Sequence, residues 1–144
     1  MLRGRHRHVP ALIWVVVAVL VTAGCGSDAP PTRVAAKSGD TVKVVMTDNA
    51  FSIDELDVRV GSVISFVFDN QGAVGHEAVI GNRAAQDMHM SNGHAGMDPD
   101  SSVEVGRAQR RSLTYTFADT GVMIVGCHQP GHYEAGMKFV VRVT

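Results

Sequence analysis

Residues 126–141 read GCHQPGHYEAGMKFVV and place a cysteine, a histidine and a methionine at even intervals. Four residues separate Cys127 from His132, and four more separate His132 from Met137. The apolar residues on both sides of this stretch predict strands, so the three side chains would share the loop between the last two strands. Side chains on such a loop can converge on one point, and a bound metal ion is the first hypothesis.

The donor atoms indicate which metal this would be. Thiolate and thioether are soft ligands and imidazole is intermediate, a mixture that favours copper over zinc, calcium or magnesium. A blue-copper electron-transfer site needs one further histidine. His76 supplies it, because it begins the segment HEAVI directly after the turn at residues 70–72. We predict one copper ion, cycling between Cu(I) and Cu(II), with four ligands: His76, Cys127, His132 and Met137.

The chain from Thr41 onward predicts an all-β fold. Its apolar residues alternate with polar ones or form short β-branched runs, and no helical period extends over three turns. The predicted strands are residues 41–46, 56–60, 63–68, 76–80, 112–117, 122–127 and 137–143. Seven or eight short strands in about a hundred residues predict a Greek-key β-sandwich, whose loops gather at its two ends.

One inserted segment, residues 81–102, breaks this pattern. Its 22 residues exceed the usual loop limit of about 12 to 15, so it is expected to be functional or disordered, with a short helix around residues 83–90. It also holds a group of thioether and imidazole side chains, which suit Cu(I): Met88, His89, Met90, His94 and Met97. Two interpretations stay open: an auxiliary copper site, or a lid whose methionines pack over the sandwich.

The N-terminal residues predict export. Three arginines precede an apolar run at residues 11–21, which is shorter than the roughly 20 residues of a transmembrane helix. The run ends in small residues before Cys25, as in a bacterial lipoprotein signal, although Thr22 stands where leucine is usual. We expect a signal at 1–24, lipid on Cys25, a flexible tether at 25–40 and a domain at 41–144. An ordinary cleaved signal is the alternative.

Charge and cysteine content narrow the function. Removal of residues 1–24 would take away three of 13 basic residues and none of 14 acidic residues, so the mature chain would be mildly acidic. Without basic clusters, such a chain is not expected to bind nucleic acid. The chain has two cysteines, and lipid on Cys25 would leave Cys127 without a disulfide partner. An unpaired thiol in an oxidising compartment is explained by a metal or, more simply, by burial.

Residues 41–144 resemble the cupredoxins, the plastocyanin and azurin family. The shared features are Phe51, the Gly61 turn, Asn70 before the first histidine, and Pro130, Gly131 and Gly136 in the ligand loop. In that family one histidine lies alone upstream and three ligands share a loop, which matches His76 and then Cys127, His132 and Met137. The resemblance implies a monomeric electron carrier rather than an enzyme, with His132 as electron exit and a redox or copper-trafficking protein as partner.

Two residues depart from the family pattern. Glu77 follows the first histidine, where a small hydrogen-bonding residue is common, and it could face inward or outward. His128 follows the cysteine, and strand alternation predicts that it points away from Cys127 as an exposed loop residue. Because of His128, the stretch with Cys127, His128, His132 and Met137 also resembles the last domain of multicopper oxidases. That family needs eight histidines for its oxygen-reducing centre, and residues 25–144 hold only five.

Three functions therefore remain to be compared. The first is an extracytoplasmic one-electron carrier, anchored to the membrane by lipid. The second is a copper carrier or copper-resistance protein that uses the Met/His segment at 81–102. The third is a metal-free β-sandwich module, which would leave Cys127 unexplained.

Overall fold

The computed structural model describes residues 30–92 and 98–144. These residues form ten strands and one helix, which run in the order β1 (Arg33–Ala35), β2 (Thr41–Thr47), β3 (Ala50–Phe51), β4 (Glu55–Val58), β5 (Val63–Asn70), β6 (His76–Gly81), α1 (Arg83–Asn92), β7 (Ser102–Val105), β8 (Arg110–Thr116), β9 (Gly121–Gly126) and β10 (Lys138–Val143). Within them, no helix is long and apolar enough to span a membrane.

The strands form two mixed sheets that face each other. The six-stranded sheet has the order β1-β4-β10-β9-β6-β7, and the four-stranded sheet has the order β3-β2-β5-β8. Phenylalanines fill the space between them: Phe66 of one sheet lies 6.4 Å from Phe139 of the other, measured between ring centroids, and Phe51 meets Phe139 edge to face. The predicted all-β sandwich is confirmed.

The predicted alternation holds in most strands and fails in one informative place. Buried and more exposed residues alternate along β2 and β5, as expected for strands with one face on the core. All six residues of β6 are buried. Its inner face joins the core through Ala78 and Ile80, and its outer face is covered by α1, which contacts β6 and β9.

The first part of the inserted segment, residues 83–92, is more ordered than its composition indicates. The short helix predicted around residues 83–90 is present as α1, and it begins with Asn82, whose side-chain Oδ1 accepts the Ala85 backbone N–H at 3.0 Å. Residues 93–97 lie outside the described part of the chain.

Three short strands are not predicted by the sequence pattern, and one of them corrects the proposed tether. Residues 33–35 belong to β1, which pairs in parallel with β4 so that Arg33 lies opposite Glu55. Arg33 also forms ion pairs with Asp57 at 2.5 Å and with Glu55 at 3.1 Å. The prediction of a flexible tether was therefore wrong for residues 33–35, because hydrogen bonds and ion pairs attach them to the sheet.

Candidate metal centre

The three loop residues and the isolated histidine come together at one end of the six-stranded sheet. His76 is the first residue of β6, and Cys127 directly follows β9. Because β6 and β9 are antiparallel, the start of one strand lies beside the end of the other. His132 and Met137 lie on the loop that connects β9 to β10.

Backbone hydrogen bonds shape this loop. The Cys127 N–H donates to the Met137 carbonyl at 3.0 Å, and the Met137 N–H donates to the His132 carbonyl at 2.9 Å. Gly131 and Gly136 adopt left-handed conformations, with φ of 82° and 100°, which glycine accepts without steric strain. These turns fold eleven residues back on themselves.

The donor atoms of three predicted ligands converge. The Cys127 sulfur lies 3.8 Å from His76 Nδ1 and 3.6 Å from His132 Nδ1. All three donor atoms lie within 4.8 Å of one another. A copper ion bonded to sulfur and two nitrogens fits between them after small adjustments, since metal–ligand bonds of about 2.0 to 2.3 Å separate such donors by comparable distances.

Met137 is fully buried, and its backbone is bonded to the backbones of both Cys127 and His132. This attachment keeps the methionine beside the other three predicted ligands. A weak axial contact from its thioether to copper stays a prediction.

Burial sets the protonation of the site. It raises the pKa of the Cys127 thiol, although the backbone N–H groups of Glu77 and Gln129 oppose this by hydrogen bonding. Burial also lowers the pKa of His76, and nearby His132 lowers it further. A neutral imidazole has a free lone pair, while the thiol must lose its proton when a cation binds. The donor set therefore fits a soft metal that can displace a thiol proton, which is what copper does.

The His76 side chain is closely enclosed by the polypeptide. Its other ring nitrogen, Nε2, is buried and has no hydrogen-bond partner within residues 30–92 and 98–144. Space on that side is tight, since a Cβ at Gly72 would lie 3.1 Å from Nε2 and 2.6 Å from an Asp48 carboxylate oxygen. Gly72 thus allows the Asp48 turn to close over the imidazole of His76.

The two residues that depart from the cupredoxin pattern lie against α1. Glu77 is fully buried and faces the helix: its Oε1 accepts the His128 backbone N–H at 2.8 Å and lies 3.3 Å from His89 Nε2. His128 points away from Cys127 as alternation predicts, but it is half-buried rather than exposed. Its ring stacks on Tyr133 with centroids 4.5 Å apart, and α1 accounts for the difference, because it covers this face of the sheet.

The Met/His group on α1 does not form one cluster in the described residues. His89 turns inward toward Glu77, while Met88 and Met90 are 63% and 40% exposed. His94 and Met97 lie outside the described residues, as does Cys25. Their predicted roles as auxiliary copper ligands and as a lipidation site therefore stay predictions.

Two residues near the site escaped sequence reasoning. Gln86 of α1 is fully buried, and Tyr133 of the ligand loop is 6% exposed. Gly126 shows why they fit, because a Cβ there would lie 2.6 Å from the Tyr133 ring and 2.8 Å from Gln86 Oε1. A glycine directly before Cys127, a predicted ligand, was the available signal that another group approaches the backbone closely.

Comparisons with known proteins follow the same direction. A copper-resistant cuproprotein of Rubrivivax gelatinosus, CopI, is 37% identical over 116 residues, covering 75% of this chain and 70% of that protein. Reduced auracyanin from Roseiflexus castenholzii superposes with a TM-score of 0.64 at 22% identity, covering 74% of this chain and 98% of auracyanin. Azurin from Methylomonas sp. strain J superposes with a TM-score of 0.62 at 17% identity, covering 74% of this chain and 99% of azurin. No family profile matches the sequence.

Proposed function

The chain belongs to the CopI family of copper-resistant cuproproteins, and we propose that it carries electrons through one copper ion held by His76, Cys127, His132 and Met137. The chain is a copper-binding cupredoxin. The specific ligand set, the electron-transfer role and the position outside the cytoplasm are the parts that we propose.

One observation carries the ligand assignment. Within residues 30–92 and 98–144, the cysteine sulfur and two histidine nitrogens meet within 4.8 Å in a largely buried site. When bound there, copper would supply a reversible one-electron couple between Cu(I) and Cu(II). A ligand set built on strand ends and a closed loop suits both states, so little rearrangement accompanies transfer.

The backbone around Cys127 partly offsets the effect of burial on the pKa of its thiol. The backbone N–H groups of Glu77 and Gln129 face the Cys127 sulfur and stabilise its thiolate form. Cys127 and His76 are buried, whereas His132 is half-exposed. The imidazole of His132 therefore offers the shortest route for an electron between copper and a docked redox protein, and no organic substrate needs to enter.

Copper titration with absorption spectroscopy tests the ligand set. One Cu(II) per chain should give an intense thiolate-to-copper charge-transfer band, and Cys127→Ser should abolish it because a hydroxyl cannot replace the thiolate. Cys25→Ser makes the same chemical change at the other cysteine and should keep the band. A Cys127→Ser protein with the wild-type band would overturn the assignment.

The proposed axial role of Met137 has its own test. Met137→Leu should keep copper bound and raise the reduction potential, because the oxidised ion loses a weak donor. Met123→Leu is the matched control, since Met123 is a partly buried methionine of β9 that packs on the core. Complete loss of copper from Met137→Leu would show that Met137 is more than an axial ligand.

A copper-carrier role is the second candidate, and the exposure of the thioethers of Met88 and Met90 on α1 favours it. The test replaces five residues together by alanine: Met88, His89, Met90, His94 and Met97. If the protein is a copper carrier, this variant should no longer bind a second equivalent of Cu(I), which the wild type binds with lower affinity than the first. The variant should also load its main site more slowly. If the copper stoichiometry and the loading rate are both unchanged, electron transfer stays as the only one of the two proposed functions.

We also propose that lipid on Cys25 anchors the domain to the outer face of the membrane. The support is the export-type segment at residues 1–24 and the small residues before Cys25. A lipoprotein anchor with more than one acyl chain is durable. Protein made in a bacterial host should partition into detergent, and Cys25→Ala should release it or leave the signal uncut. Equal partitioning of both forms would indicate an uncleaved apolar anchor.

A further inference from the structure

Helix α1 lies on the outer face of the two strands that carry the first two copper ligands. Side chains alternate between the faces of a strand, so the residue after each inward-facing ligand faces outward. The residue after His76 is Glu77, and the residue after Cys127 is His128. Both contact α1, which thereby reaches the neighbours of two ligands without approaching the copper position itself.

Gln86 is the centre of this contact. It is fully buried on α1, and its side-chain Nε2 donates to the backbone carbonyls of Val79 and Ile124, at 3.0 Å each. With the amide nitrogen turned toward these two strands, its Oε1 lies 2.6 Å from Nε2 of His128. Oε1 can only accept, so His128 donates from Nε2, and this bond selects the tautomer and the ring orientation.

The His128 ring is held from other directions as well. It stacks on Tyr133 at an interplanar angle of 13°, and its backbone N–H is bonded to buried Glu77, which in turn contacts His89 of α1. Gly126 permits this packing, because any side chain there would collide with both Tyr133 and Gln86. The residue after the ligand cysteine is thus fixed at its backbone and at its ring.

We propose that Gln86 is a positioning residue of the copper site. It fixes His128, and through the Cys127–His128 peptide it fixes the direction from which the Cys127 thiolate meets copper. This inference rests on the proposed ligand set. Partners behind the ligands orient metal sites, and their loss commonly lowers metal affinity by about ten- to a hundredfold.

The test replaces Gln86 by methionine, which has a similar shape but neither donor nor acceptor of comparable strength. Copper should still bind at one per chain with lower affinity, and the thiolate charge-transfer band and the copper hyperfine splitting should both shift. Arg83→Ala is the control on the same helix, because the ion pair of Arg83 with Asp87 is solvent-exposed. The control should leave the spectrum unaltered.

A double-mutant cycle shows whether Gln86 acts through His128. His128→Phe keeps a ring that can stack on Tyr133 but cannot donate to Gln86. In that background, Gln86→Met should cause no further spectral shift, because the contact is already absent. An equal shift in both backgrounds would overturn the proposal, since Gln86 would then act by packing alone.

A second variant covers the case in which Gln86→Met does not fold. A Cβ at Gly81 would lie 2.6 Å from the Ala85 Cβ, so Gly81→Ala should lift α1 from the sheet while every polar group stays present. It should shift the band in the same direction. If the variants show the charge-transfer band at the wild-type position, only the role of Gln86 is contradicted. If the wild-type protein itself shows no such band, the proposed ligand set is contradicted.

Discussion

The two sheets share one core but differ in what covers their outer faces. The four-stranded sheet leaves that face to solvent, where Asp69 of β5 forms ion pairs with Arg110 and Lys43 at 2.8 and 3.3 Å. The six-stranded sheet has β6 and β9 covered by α1, so β6 is buried on both sides. Because α1 covers this outer face, the residues that follow His76 and Cys127 pack against the helix, whereas no helix covers the outer face of the four-stranded sheet in the described residues.

The largest expected effect is on the core that both sheets share. Phe66 is fully buried on β5, and Phe66→Ala should lower the free energy of unfolding by about 3 to 5 kcal/mol, because a cavity forms between the sheets. Denaturant unfolding of the copper-free protein measures it. Val63→Ala on the same strand, where Val63 is 39% exposed, should stay within about 0.5 kcal/mol of wild type. Similar losses in both variants would contradict this account of the core.

Copper should stabilise only through the six-stranded sheet and its loop. At a free concentration about a hundredfold above the dissociation constant, a ligand that binds the native state alone adds about 2.7 kcal/mol to the free energy of unfolding. The wild-type protein should show this gain, and Cys127→Ser should show a much smaller one. Asp69→Asn, on the other sheet, should keep the full gain, and its loss there would mean that the sheets are coupled.

A smaller effect is expected from crowding beside the ligands. Gly126→Ala should cost about 1 to 3 kcal/mol, because its Cβ would overlap Tyr133 and Gln86. Gly75→Ala is a matched control: Gly75 also precedes a proposed ligand, His76, and a Cβ there meets nothing within 4 Å. The difference in unfolding midpoint between the two variants measures how tightly Tyr133 and Gln86 pack over Gly126. Equal midpoints would contradict this tight packing.

The smallest effect belongs to the exposed face of the four-stranded sheet. A hydrogen bond from Arg110 lowers the pKa of Asp69 from 3.8 to about 2. A lowered carboxyl pKa contributes stability above its unfolded value, and that stability is lost as the pH falls from about 4 to about 2. Wild-type protein should therefore lose slightly more stability over this range than Asp69→Asn does. Parallel acid-unfolding curves would show that the pair contributes nothing.

The sequence predicted the parts of the molecule that depend on residue type and local period. Strands such as β2 and β5 were predicted because their apolar residues alternate, and β1, β3 and β7 were missed because two to four residues are too few to show a period. The three donor atoms that converge were predicted because their chemistry is distinctive and their spacing local. The hydrogen bond from His128 to Gln86 could not be predicted, because it joins residues 42 positions apart.

The predicted exposure of His128 and the predicted flexible tether were wrong for a similar reason, since both depend on distant contacts. Alternation gave the correct direction for His128 but not its burial, since burial depends on where a distant helix docks. Composition alone indicated a tether at residues 25–40, whereas β1 is held by its pairing with β4, a segment about twenty residues further along the chain.

If the protein is attached to a membrane by the proposed lipid anchor, the pairing of β1 would limit its distance from that membrane. β1 and β10 both run parallel to β4, so Arg33 enters the sheet at the end that carries the copper loop. If Cys25 carries lipid, residues 26–32 are the segment between the lipid and β1. Seven residues reach about 25 Å at full extension. The end of the sandwich with the copper loop would then stay near the lipid headgroups, and a docking protein would have to reach it close to the membrane surface.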